Sequence, residues 1–500
     1  MSTPILPPSY DELMRFSRRH FLGVSALGLG GLGLADLLET QSTPPGQAPS
    51  AALASSHFPP RAKRVIYLFQ SGGPSHLETL DPKPMLRTMH GQPLPESVRA
   101  GQRLTGMSGY QGVLPIAGSF TGFQRHGRAG IEFSDILPHT AKIADDICVV
   151  RGMHTEAINH DPAITFFCSG HQIAGRPSMG AWMSYGLGTM NKDLPSFIVL
   201  VSKDASRDQP LYARLWGSGF LPSEHQGVQF RAGSEPVLAL SNPEGVSPHA
   251  RRAMLDTLGA LSRSARMQEF PGVSDDGVST EIDARLAQAE LAFRMQTSVP
   301  EATDLSSERD ETFELYGPGA REPGTYAANC LLARRLVERG VRFVQLFHQG
   351  WDQHGGLPSG IARQCQQTDQ ASAALVLDLK RRGLLEDTLV IWGGEFGRTA
   401  YCQGRMTAND YGRDHHPRCF SMWLAGGGVK AGSVYGQTDD FGYGIVDGGV
   451  HVHDLHATML RLLGVDHERL TYRYQGRHHR LTDVAGRVVD ELLANPITRP

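Results

Sequence analysis

Short apolar runs recur along the chain at the length and β-branched character of strands buried on both faces. They fall at Arg64–Phe69, Ile147–Val150, Phe197–Val201, Arg342–Phe347, Leu389–Trp392 and Phe420–Leu424. Between them the period changes to that of helices. Ile282, Leu286, Ala289 and Phe293 set an amphipathic helix over Ile282–Met295. Further helices are predicted over Ala327–Arg339, ended by Gly340, and over about Gln364–Arg382. A short one spans Asp454–Leu463, with Gly464 as its stop. Residues 86–135 are Gly-rich and weakly periodic, as in an insertion, and 298–324 read as a polar link. Strands alternating with helices imply a mostly parallel sheet covered on both faces.

The stretch Leu389–Pro417 concentrates candidate chemistry. Its strand delivers Glu395, Arg398 and Thr399 just past the carboxyl end, where open α/β sheets bind ligands. An irregular loop leads to Asp414, His415, His416 and Pro417, and then to the next apolar run. The strand ending at Phe347 similarly delivers His348, Trp351, Asp352 and His354. If these strands neighbour each other in a parallel sheet, Asp352, His354, Glu395 and His415 meet in one crevice. Gln70, Ser71, Gly72 and Gly73 follow the first strand, where small residues suit close backbone approach or a tight turn. Glu395 with Arg398 also fits a plain buried ion pair. Arg413 fits either a bidentate anion contact or a solvated arginine.

Composition adds two constraints. With 500 residues, 40% of them apolar and 20% charged, the chain has ample material for a globular core. A net charge of −3 gives no electrostatic case for nucleic acid or an anionic membrane surface. The 21 histidines are numerous and clustered, which permits metal binding. Six cysteines show no CxxC spacing, so a zinc finger is not expected, while a disulfide remains open if the chain is exported.

Export is expected from Ser17-Arg18-Arg19-His20-Phe21-Leu22, a twin-arginine pattern ahead of the uncharged run Gly23–Ala35. Five glycines in those thirteen residues make a poor helix, and the run is too short to span a bilayer. A disordered spacer over 43–56 follows, with Ala52-Leu53-Ala54 as a small-residue cleavage pattern. The expected organisation is therefore a signal and spacer over 1–56 and one domain over 57–500. The expected location is periplasmic or extracellular, reached through the twin-arginine machinery and without a stable membrane span.

The motifs GGPSHLETLDPKP, NHDPA, GRPSMGAW, LARRLVERGVRFVQL, GWDQHGG, EFGRT, GRDHHP and HDLHATML carry a resemblance. Together they resemble the domain-of-unknown-function 1501 family, a sulfatase-like branch of the alkaline phosphatase superfamily, over nearly the whole mature chain. The resemblance implies an α/β/α sandwich around a mixed, mostly parallel sheet. It also implies hydrolysis or transfer at phosphate or sulfate esters on a small molecule or glycan, with metal at one sheet edge. On that pattern Asp352 and His354 correspond to a middle Asp-and-His pair, Glu395 to the next Asp and His415 to a late His, with His416 as its alternate. These residues suit one divalent ion such as zinc, manganese or calcium.

The departures are specific. Gln70 and Ser71 stand where a first-strand Asp is expected, and Phe396 stands where a His is expected. A second metal therefore lacks ligands unless His76, Glu78 or Asp81 folds back. Aligning Ser169-Gly170 with the sulfatase Thr-Gly places His160 at the position of the cysteine that becomes formylglycine. Formylglycine chemistry is not expected. His160 is left as a nucleophile, a metal ligand or a general base, and Arg398 as its catalytic partner. The alternative is a catalytically degenerate member that binds a ligand or scaffolds an assembly of the cell envelope. His451, His453, His456, His478 and His479 are expected to cap or pack around the last helix.

Overall fold

The computed structural model describes residues 53, 56–203, 209, 211–233, 235–238, 240–269, 281–407 and 410–495. The twin-arginine pattern and nearly all of the spacer, including the cleavage pattern's two alanines, lie outside the described residues. The described residues belong to one compact unit, Pro49–Pro500.

Among the described residues the central sheet has nine strands. In chain order they are β1 (Arg64–Gln70), β2 (Ile147–His154), β3 (Phe197–Val201), β4 (Val228–Phe230), β5 (Phe343–His348) and β6 (Thr388–Gly393). A hairpin of β7 (Gly397–Gln403) and β8 (Gly412–His416) stands apart from that sheet. The sheet resumes with β9 (Phe420–Ala425), β10 (Ser433–Tyr435) and β11 (Val450–His451). Across the sheet the order is β10-β2-β9-β6-β1-β5-β3-β4, with β11 also on β2. β9 runs antiparallel to both of its neighbours, and every other pairing is parallel. The sheet is thus mixed and mostly parallel, as expected.

Alternation along β1 divides the core into two layers. Ile66 and Leu68 face one cluster, which includes residues of α5 (Tyr326–Glu338) and α6 (Leu357–Arg381). Val65, Tyr67 and Phe69 face the other, with α1 (His160–Ser169), α2 (Met179–Leu187) and α7 (Val452–Leu462). Helices on both faces explain why these strands read as continuous apolar runs. Among the described residues no helix is long and apolar enough to cross a membrane.

Several local expectations need correction. β5 and β6 are not neighbours, because β1 lies between them and pairs with both. After Glu395 the residues Gly397–Gln403 and Gly412–His416 pair as a hairpin, with Arg398 opposite His415, where an irregular loop was expected. The supposed polar link holds the end of α4 (Glu281–Thr303) and a short helix, Asp310–Tyr316, whose Phe313 and Tyr316 are buried. α3 (Pro248–Glu269) was not anticipated, and α6 begins seven residues earlier than its apolar period suggested. All six cysteines are buried, and none is joined in a disulfide among the described residues.

Candidate metal centre

The carboxyl ends of β1, β5 and β6 meet the start of α1 and the β7–β8 hairpin at one sheet edge. Close approach makes this possible. Gly72, at φ +119°, lies so near the next segment that a Cβ there would fall 2.7 Å from the Asp352 nitrogen. A Cβ at Gly412 would collide with the His354 carbonyl. Glycine at both positions lets the loop bearing Asp352 and His354 pack between β1 and the hairpin.

His160, Asp352, His354 and His415 place one ligand atom each within 4.8 Å of one another. The Asp352 carboxylate is central. Its Oδ1 lies 2.9 Å from His354 Nε2 and 3.4 Å from His415 Nε2, and its Oδ2 lies 3.1 Å from His160 Nε2. Each of the three imidazoles has an oxygen acceptor at its other nitrogen. His160 Nδ1 meets Glu395 Oε1 at 2.6 Å, His354 Nδ1 meets Gln403 Oε1 at 2.5 Å, and His415 Nδ1 meets the Ile158 carbonyl at 2.7 Å. With Nδ1–H donated outward, every Nε2 faces Asp352, where a bound cation would take the place of a proton held between them.

Glu395 is therefore not a member of the four-residue cluster. It is fully buried behind His160, and both its oxygens accept from the Gly72 N–H, at 2.9 and 3.2 Å. Arg398 is also buried, and its guanidinium is spent on internal partners. It donates to the Gly72, Gly73 and Arg413 carbonyls and, at 2.6 Å, to Asp352 Oδ1. It orients Asp352 rather than facing outward. Phe396, at the expected His position, packs its ring against His160 and His415, with centroids 4.9 and 4.6 Å away.

The remaining candidates turn elsewhere. His416 occupies the other face of β8 and bonds the Tyr443 carbonyl and Gln102. Asp414 accepts from Thr105 and Ser108. Arg413 forms a fully buried ion pair with Glu78. His76 bonds the Gly442 carbonyl, and Asp81 meets Lys83 and Thr438, so none of the three first-loop residues folds back to the cluster. Gln70 accepts from the Trp351 indole, a neutral contact where a carboxylate ligand was expected. His451 caps α7 by accepting from the His453 N–H, whereas His478 and His479 lie on a separate two-stranded hairpin against Tyr472–Tyr474. Gln403 and the Ile158 carbonyl are the parts that sequence reasoning missed. Nothing in the local pattern marks them, because their partners lie 49 and 257 residues away.

Electrostatics follow from this packing. Burial opposes charging of His160, but Asp352 and Glu395 on either side push its pKa up to about 9. Burial lowers His415 to about 4 against the pull of Asp352. Burial also opposes ionisation of Asp352, yet its histidine partners and Arg398 hold it well below the usual carboxylate range. A divalent ion fits the donors present. Three imidazole nitrogens and one carboxylate make a nitrogen-rich set. His160 Nε2 is buried and aimed into the cluster, 3.1 Å from Asp352 Oδ2.

Fold and site together define an α/β/α protein with a His-and-Asp cluster at the carboxyl edge of its sheet. The chain belongs to the family described as "Protein of unknown function (DUF1501)", which matches residues 62–493. A comparison with curated proteins found no significant match. Among solved structures it is similar to the PsFucS1 sulfatase from Pseudoalteromonas sp., at 13% identity over 88% of this chain and 73% of that one, TM-score 0.35. It is also similar to alkaline phosphatase from the Antarctic bacterium TAB5, at 10% identity over 80% of this chain and 98% of that one, TM-score 0.32. A third is the phosphonate monoester hydrolase SpPMH from Silicibacter pomeroyi, at 13% identity over 72% of each chain, TM-score 0.28. At these scores the architecture rests on the strand order itself.

Proposed function

We propose that this chain is an exported, metal-dependent hydrolase or transferase of phosphate or sulfate esters that works without formylglycine. The observation that carries the reading is the convergence of His160, His354 and His415 Nε2 atoms on Asp352. Those four residues would hold one divalent cation, which supplies Lewis acidity toward the oxygens of an anionic ester. The protein's own groups prepare that place. Arg398 and the three imidazoles keep Asp352 ionised, Phe396 walls off one side of His160 and His415, and the outward hydrogen bonds fix each tautomer. Of the three alternatives for His160, the ligand role agrees best with a buried Nε2 directed at Asp352. Export is supported by the twin-arginine pattern at Ser17–Leu22.

A second reading, a binding or scaffold protein of the envelope, is favoured by Gln70 and Phe396 in place of ligands and by the internally engaged Arg398. Metal content separates the two. Protein purified without added metal, then dialysed against zinc, manganese or calcium, is expected to hold one ion per chain. Asp352→Ala, His354→Ala and His415→Ala should lose most of it, since changes merely adjacent to ligands cost about 10- to 100-fold in affinity. The loaded protein should cleave chromogenic phosphate or sulfate esters faster than the Asp352→Ala protein. A parent that stays metal-free overturns the hydrolase reading. One that binds metal but cleaves no ester moves the function to binding.

A further inference from the structure

We propose that Glu395 and Gln403 are positioning residues that make the three imidazoles unequal, with His160 the anchoring ligand and His354 the exchangeable one. The inference rests on the metal reading above. An imidazole that donates its N–H to a carboxylate is a stronger donor through its other nitrogen than one that donates to a neutral acceptor. The three acceptors here differ in kind. Glu395 is a carboxylate, Ile158 offers a backbone carbonyl, and Gln403 offers an amide oxygen.

Packing is graded in the same sense. Glu395 is fully buried and tied to the Gly72 N–H, and His160 opens the helix α1. His415 sits within the paired strand β8, and its side chain is 4% exposed. His354 is the most open of the three imidazoles, its side chain 24% exposed against 13% for His160. It belongs to no helix or strand and is followed by Gly355 and Gly356, the latter at φ +60°. Its acceptor Gln403 is the last residue of β7, ahead of Gly404 at φ +71°. Of the three imidazoles, His354 is thus held by a neutral group at the end of a hairpin strand and has the least packing to overcome when it leaves.

The test uses the full-length protein loaded with cobalt, whose visible spectrum reports its ligands, and a chelator to draw the metal out. Gln403→Glu gives His354 a charged acceptor and is expected to slow release about tenfold or more and to shift the cobalt bands. Gln403→Ala is expected to speed release, and Glu395→Gln to weaken binding by about 10- to 100-fold. If Glu395→Gln does not fold, the opposed responses of the two partly exposed Gln403 variants decide the matter. A parent that binds one ion while both Gln403 variants release it at the parental rate overturns this inference alone. A parent that takes up no cation overturns the metal reading and this inference with it.

Discussion

Replacing Glu78 with alanine probes how the hairpin that carries His415 is held. Arg413 Nη2 lies 2.6 Å from Glu78 Oε1, and Arg413 Nε lies 3.1 and 3.2 Å from the two Glu78 oxygens. Both side chains are fully buried. Tyr411 and Ser75 also donate to Glu78, while Arg413 donates to the Thr399 and Ala117 carbonyls. The loop after β1, the hairpin and the segment near Ala117 are thus joined through one carboxylate and one guanidinium. Removing the carboxylate leaves the guanidinium buried and uncompensated, a change that typically costs about 3–5 kcal/mol. An exposed pair is worth about 0–1 kcal/mol, so Asp161→Ala, which breaks the surface pair with Arg214, is the matched control. Equilibrium urea unfolding measures both, and metal content should fall in Glu78→Ala because His415 lies two residues beyond Arg413 on β8. A loss below about 1 kcal/mol in Glu78→Ala would refute the reasoning.

Three further outcomes are expected. Replacing Arg18 and Arg19 together with lysine should leave the protein in the cytoplasm, and fractionation that still finds it exported removes the localisation proposal. Peptide mass spectrometry should find no aldehyde at any of the six cysteines; one at any of them would overturn the alignment around His160. Stability should fall in mild acid, because burial depresses His225 to about 4 and His456 to about 3. The unfolded chain binds these protons below about pH 6.5 while the folded chain does not. The loss therefore accumulates from about 6.5 down through 4 and 3, and for His225 it amounts to roughly 3 kcal/mol. His225→Asn should flatten the unfolding free energy over pH 6.5 to 4, and an unchanged slope contradicts this cause.

The sequence by itself determined the layered architecture, for a physical reason. A strand covered by helices on both sides must be apolar at every position, and β1, β3, β5, β6 and β9 show that run directly. It also exposed the chemistry-bearing residues, since Asp352, His354, Glu395 and His415 are polar groups set between buried strands. Apolar pattern records burial but neither direction nor neighbour. The antiparallel course of β9, the placement of β1 between β5 and β6, and the pairing of Arg398 with His415 were therefore decided by tertiary packing. The role of Glu395 is the clearest instance. Its charge and position just after β6 suit a metal ligand, yet α1, starting 235 residues earlier, brings the His160 ring across its oxygen. Contact over that separation depends on how the helix lies against the sheet edge, which no local spacing encodes.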